Sequence, residues 1–161
     1  FRDFLETWIP THPGAIVSVD GERLGEHQGL MFHTIGQRQG LGIGGRKDAA
    51  EAPWYVVGKD VSRNRLIVAQ GNDHPGLFSS VLYCRQMHWI DGIGPQLPIE
   101  CGVKIRYRQR DQTGRLEPSD KGYRIVFERP QRAVTPGQWA CLYLGDICLG
   151  GGVIESTDKT W

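Results

Sequence analysis

Long apolar runs are missing from this 161-residue chain. None approaches the roughly 20 residues that cross a bilayer as a helix, so no membrane-spanning helix is expected. No charged segment followed by an apolar stretch opens the chain, so no secretory leader is read there. A start on Phe1 rather than Met is expected of a piece cut from a longer protein. Excess charge is also missing. The balance of 19 basic and 18 acidic side chains gives +1, which by itself names no partner. Cysteine is sparse, and Cys84, Cys101, Cys141 and Cys148 contain no C-x-x-C spacing. On one alternating strand Cys84 and His88 would share a face, but two ligands do not make a tetrahedral metal site. Free, mostly buried thiols in a reducing cytosol are expected instead of disulfides, with a cytoplasmic location and no metal. His12, His27, His33, His74 and His88 share no spacing, and no nucleophile with a base is legible. No catalytic residue is therefore named.

Glycine and proline are plentiful, at 22 and 9 residues, so turns are frequent and long helices are not expected. The densest glycine stretch is Glu26 to Gly45, in which Gly40, Gly42 and Gly45 spell G-x-G-x-x-G. A dinucleotide loop needs a buried strand before it and a helix after it. Here the lead-in from Phe32 to Gln39 is polar, and residues 46–53 allow one weak helical turn before Pro53. No Gly-Lys-Ser/Thr follows, which excludes a Walker loop. The better reading is a tight structural loop in which glycine permits positive φ and close backbone approach.

Periodicity divides the rest. Phe1, Phe4, Leu5, Trp8 and Ile9 have helical spacing, and Pro10 and Pro13 end that helix. Ala15 to Val19 reads as a strand, with Asp20-Gly21 as a hairpin turn before residues 22–25. Trp54 to Val57 and Leu66 to Ala69 read as a second hairpin. The breaker Gly71-Asn-Asp-His-Pro-Gly76 marks a domain boundary, giving domains of 1–76 and 77–161. Beyond it, strands are expected at Val81 to Trp89, Ile99 to Gln109, Tyr123 to Phe127, Ala140 to Leu144 and Ile147 to Ile154. Short strands with Gly and Pro turns read as a small closed barrel.

Charge is segregated although the total is near zero. Residues 101–135 carry nine basic and four acidic side chains. Within Val103 to Arg110, Lys104, Arg106, Arg108 and Arg110 share one parity, and Val103, Ile105 and Tyr107 the other. On a strand this puts four cations on one face, where they repel one another and an anionic partner gives relief. Arginine suits phosphate through paired hydrogen bonds, and Tyr107 offers a stacking plane. The competing reading is a solvated barrel face whose cations are answered by carboxylates of a neighbouring strand.

Six segments occur in one order: Gly25-Glu-His-Gln-Gly-Leu-Met31, Thr34-Ile-Gly-Gln-Arg-Gln-Gly-Leu-Gly-Ile-Gly-Gly45, Pro53-Trp-Tyr-Val-Val57, Arg106-Tyr-Arg-Gln109, Thr135-Pro-Gly-Gln138 and Cys148-Leu-Gly-Gly-Gly152. Together they resemble the bacterial-type tRNA-specific 2-thiouridylases from Phe1 to about Glu155. The resemblance implies an intact enzyme that uses ATP to adenylate the wobble uridine and a cysteine persulfide to deliver sulfur. Its ATP site and both catalytic cysteines would lie before Phe1, so this chain alone would be inactive and bind no cofactor. Sulfur-relay proteins or a cysteine desulfurase would be partners of the intact enzyme.

The implied fold is mainly β. It comprises a small central β domain with one N-terminal helix, followed by a translation-factor-like β-barrel. The implied task is to hold and orient tRNA. The family's contacts carry over to Arg106, Tyr107 and Gln138, and the charge period adds Lys104 and Arg108. Parity places Tyr107 opposite Arg106, so both reach RNA only from a strand edge or a strong twist. The alternative function is a protein-interaction β module of translation-factor type whose basic face binds an acidic partner protein.

Overall fold

The computed structural model describes residues 11–43 and 52–161. The chain is mainly β and falls into two compact units, Phe1–Leu77 with Trp161, and Phe78–Thr160. The helix expected over residues 1–9 and the end of the glycine stretch at 44–51 lie outside the described residues.

The first unit holds β1 (Gly14–Ser18), β2 (Arg23–His27), β3 (Trp54–Asp60) and β4 (Arg65–Gln70). Their order across the sheet is β2-β1-β4-β3. The two hairpins are antiparallel, and parallel pairing of β1 with β4 sets them side by side. Ile16, Val56, Leu66 and Val68 are fully buried and form the core with Leu41. Asp60 fastens the β3–β4 turn. Its carboxylate accepts the Ser62 hydroxyl at 2.7 Å, the Arg63 N–H at 3.0 Å and the Arg63 guanidinium at 3.3 Å.

The glycine stretch is laid along β3. A short 3-10 turn, Leu30–Phe32, begins it. The Gly36 N–H donates to the Val56 carbonyl at 2.8 Å, and the Val56 N–H donates to the Gln37 carbonyl at 2.9 Å. The Gln37 side chain stitches the turn internally, accepting the Thr34 N–H at 3.0 Å and donating to the Gln39 carbonyl at 2.8 Å. Leu41 is buried, and Ile35 packs partly against the same core. This segment thus serves the sheet as a scaffold.

The second unit is built from β5 (Phe78–Cys84), β6 (His88–Trp89), β7 (Ile99–Lys104), β8 (Gln112–Ser119), β9 (Gly122–Arg132), β10 (Trp139–Leu144), β11 (Ile147–Val153) and β12 (Ser156–Thr157). They make one eight-stranded sheet in the order β12-β5-β9-β8-β7-β10-β11-β6. The sheet curls into a barrel. The chain leaving β11 returns to β5, where the Glu155 N–H donates to the Tyr83 carbonyl at 2.8 Å. Inward residues of alternating strands, among them Leu82, Val103, Leu116, Ile125 and Leu142, fill the interior at 0 % exposure. Full burial of such side chains is the main driving term, at about 1.5–3 kcal/mol each.

Three expectations about this unit need correction. The single strand expected over residues 81–89 is two, β5 and β6, because the chain bends at 85–87. Cys84 and His88 therefore share no strand face: Cys84 is buried in the core and His88 is exposed. Strand β8 was not anticipated. Its inward positions are Gly114 and Leu116 and Pro118 follows, so its alternation is too sparse to read. The third correction concerns the basic segment.

Candidate nucleic-acid interface

Strand β7 ends at Lys104. Arg106 to Gln109 forms a turn, closed by the Gln109 N–H to the Arg106 carbonyl at 3.1 Å. The expected face of four cations does not exist, because the alternating period stops after Ile105, the last inward residue of the run. The turn removes the parity conflict instead. Tyr107 and Arg108 occupy its centre, and Tyr107 is 97 % exposed. Arg106 and Tyr107 are both exposed on one turn without need of an edge strand.

The cations divide. Lys104 is half-buried and paired with Asp111 at 3.2 Å, with its ammonium 4.7 Å from the centre of the Tyr143 ring. The Asp111 carboxylate holds the Lys104 proton more tightly than usual. For this residue the neighbouring-carboxylate reading is the correct one. Arg106, Arg108 and Arg110 are exposed, and among the described residues no carboxylate pairs with them. Arg106 is nonetheless anchored, since its guanidinium donates to the Ala133 carbonyl at 3.2 Å.

Beneath the turn runs a chain of amides. Gln109 Nε2 donates to Gln131 Oε1 at 3.0 Å, and Gln131 Nε2 donates to the Arg129 carbonyl at 2.8 Å and to Gln112 Oε1 at 3.3 Å. Gln131 is buried, so these bonds are shielded from water. This support leaves little trace in the sequence. Its only sequence signal is Gln131 at an inward position late in a long strand.

Gln138 is held by its main chain. Pro136 and Gly137 form the centre of a turn closed by the Gln138 N–H to the Thr135 carbonyl at 3.2 Å. Gly137 has φ 88°, as the third position of a type II turn requires. The Ile154 N–H donates to the Gln138 carbonyl at 2.8 Å, and the residue is half-exposed. The Ala133 carbonyl also accepts the Thr135 hydroxyl at 3.0 Å. One carbonyl therefore links the Arg106 turn to the Thr135–Gln138 turn.

Other candidate chemistry is directed elsewhere. Burial pushes the Cys84 thiol up to about 12 and the Cys101 thiol to about 11, so neither is a nucleophile at neutral pH. All four cysteines are free. Among the described residues no cluster of His, Cys, Asp and Glu could hold a metal. In the glycine stretch the N–H groups of Thr34, Gly36 and Gln37 are spent on the Gln37 side chain and the Val56 and Thr34 carbonyls. Among the described residues no helix is long and apolar enough to cross a membrane.

Comparison with known proteins agrees with the two units. Residues 2–70 match the tRNA methyl transferase PRC-barrel domain family, and residues 79–154 match the aminomethyltransferase beta-barrel domain family. The chain is 57 % identical over 158 residues to a tRNA-specific 2-thiouridylase MnmA of Stutzerimonas stutzeri, covering 98 % of this chain and 42 % of the relative. It is 57 % identical over 155 residues to that of Pseudomonas fluorescens strain Pf0-1, covering 96 % and 41 %. To that of Pseudomonas aeruginosa strain LESB58 it is 55 % identical over 161 residues, covering 100 % and 43 %. It thus spans about two fifths of the length of these curated relatives. With identity at this level along nearly its whole length, and both domain families matched in order, the chain belongs to the tRNA-specific 2-thiouridylase family.

Proposed function

We propose that this chain is the tRNA-binding and tRNA-orienting part of an ATP-dependent tRNA 2-thiouridylase, a cytoplasmic transferase. The whole protein converts wobble uridine to 2-thiouridine with sulfur from a cysteine persulfide, supplied through sulfur-relay proteins or a cysteine desulfurase. Residues 1–76 form the central domain and 77–161 the tRNA-binding barrel. The ATP site and the catalytic cysteines belong to other parts of the protein, and these residues alone are inactive.

The observation that carries this reading is the Arg106–Gln109 turn. Exposed cations without partner carboxylates among the described residues flank a tyrosine that is 97 % exposed, and the turn rests on a buried amide chain. A lone exposed aromatic is ordinary on a surface, and it is the setting of Tyr107 between two exposed guanidiniums that points to a ligand bearing both phosphate and base. Arg106 and Arg108 suit phosphate oxygens, and Tyr107 suits a base or ribose. Gln138, carried by a neighbouring turn, adds a donor and an acceptor. Lys104 contributes less, since Asp111 already neutralises it.

The test is tRNA binding across a salt series. The parent's log affinity falls linearly with log salt as phosphates displace counterions. Arg106→Ala weakens binding about tenfold for all tRNAs alike and reduces the slope by about one. Unchanged affinity and slope refute the assignment. The rival reading, a protein-interaction module whose basic turn meets an acidic protein, predicts capture of protein and no salt-dependent tRNA binding.

A further inference from the structure

Trp139 opens β10 immediately after Gln138 and is 47 % exposed on the outer face of the barrel. Its partner on β11 is Val153, and two residues further on Cys141 pairs with both Gly151 and Lys104. Trp139 thus stands at the end of β10 where β7 gives way to the Arg106 turn. Gly151 pairs in turn with His88 on β6. With no side chain at Gly151, the His88 imidazole reaches across β11 to the indole. The ring centroids are 5.5 Å apart and the planes 41° apart. His88 is itself exposed, so no apolar cover holds this aromatic pair.

The surroundings choose between occupants. The exposed apolar residues of the β10–β11 hairpin form two separate groups, Trp139 with Val153 at one end and Leu144 with Ile147 at the other. About 17 Å of strand separates them, at about 3.4 Å per residue. That is no contiguous apolar patch of the kind a protein partner covers. Trp139 is bordered instead by the His88 imidazole, and it stands at the end of β10 where β7 leads into the exposed Arg106 turn. An indole backed by an imidazole, at the strand end that faces a turn of exposed arginines, suits a nucleobase whose phosphate is held by that turn.

We propose that Trp139, backed by His88, is a stacking platform for an unpaired base of the bound RNA. The base must be unpaired, because in a duplex its faces are covered by neighbouring pairs. The inference rests on the tRNA-binding reading above and adds a contact that reads exposed bases rather than phosphates.

The test compares tRNA binding by the chain and by Trp139→Ala, Trp139→Phe and Arg106→Ala across a salt series. Trp139→Ala is expected to weaken binding roughly ten- to a hundredfold at every salt concentration, with the slope unchanged. Trp139→Phe should recover most of that loss. A blunt-ended, fully paired RNA duplex of two strands should not distinguish parent from Trp139→Ala. A second readout needs no substitution at the platform. With 5-fluorotryptophan incorporated, the fluorine resonance absent from Trp139→Phe should shift when tRNA is added to the parent. Parent-like affinity in Trp139→Ala together with weakened Arg106→Ala overturns the platform and leaves the tRNA reading standing. An unshifted resonance at saturating tRNA overturns it as well. If Trp139→Ala loses only a protein partner and keeps tRNA, the face is a protein dock and the proposal fails. If the parent binds no tRNA, both readings fail together.

Discussion

The guanidinium of Arg106 donates to the carbonyl oxygen of Ala133 over 3.2 Å. Ala133 has φ 54°, a conformation costly to a residue with a Cβ, and it is buried. Its carbonyl takes the Thr135 hydroxyl as well. A strained residue fixed by two donors gives the Arg106 and Thr135–Gln138 turns a common reference point.

Arg106 and Arg108 should therefore differ in stability although both are exposed. Arg106→Ala loses a hydrogen bond worth about 1 kcal/mol. Arg108→Ala loses none among the described residues and should unfold as the parent does. Urea midpoints of the two variants, with an unchanged m-value, check this.

Gln131 holds the floor of the basic turn. Gln131→Leu leaves Gln109 Nε2 without its acceptor and Gln112 Oε1 without its donor, and should cost about 1–3 kcal/mol. The Gln109 side-chain amide protons, followed by NMR, should lose their protection from exchange, while those of Gln112, donated to the Arg110 carbonyl, should not.

Gly151 has no room for a side chain, since a Cβ there would strike the Ala140 carbonyl of β10. Gly151→Ala must push β10 and β11 apart and should cost about 1–3 kcal/mol. Chemical denaturation measures the loss. Separation of the His88 and Trp139 rings should appear as a shift in the His88 ring protons.

The thiols should separate by depth. Alkylation of the native chain followed by mass spectrometry should modify Cys141 and Cys148 first, as both are half-exposed. Cys84 and Cys101, held protonated by burial, should react only on unfolding. Early labelling of Cys84 would contradict the core described here.

Stability should fall on mild acidification. His27 is 2 % exposed, and burial lowers its pKa, opposed by its bond to the Asn64 carbonyl at 3.3 Å. Below about pH 6.5 the unfolded chain takes up this proton and the folded chain does not, so stability declines as pH falls through that value. The decline ends once the folded His27 also protonates. Asp60 acts at lower pH. Its bonds, chiefly from Ser62, hold the carboxyl below its usual range. Their contribution is present above about pH 3.9 and lost as pH falls through the depressed value. Unfolding midpoints from pH 7.5 to 5 should drop in the parent and flatten in His27→Gln.

Much of this was legible in the residues. Short apolar runs rich in β-branched and aromatic residues at Ala15–Val19, Trp54–Val57, Ala140–Leu144 and Ile147–Ile154, bounded by turn residues, marked strands. Ordered short motifs marked the family. The run from Val103 to Arg110 misled, because alternation is necessary for a strand without being sufficient. The pattern continues past Ile105, but the ladder to β8 and β10 does not, and pairing decides where a strand ends. Strand β8 escaped notice for the opposite reason, since its inward glycine carries no apolar signal.

By itself the sequence determined the β character, the identity of the family and the basic bias of residues 101–135, because each depends on residue types in order along one chain. Only the tertiary structure decided which cations are free and what stands beside them. Lys104 meets Asp111, Arg106 meets Ala133, and His88 reaches Trp139 across a glycine strand. Those meetings depend on strand register and on where turns interrupt it, and both are settled by packing among segments far apart in sequence.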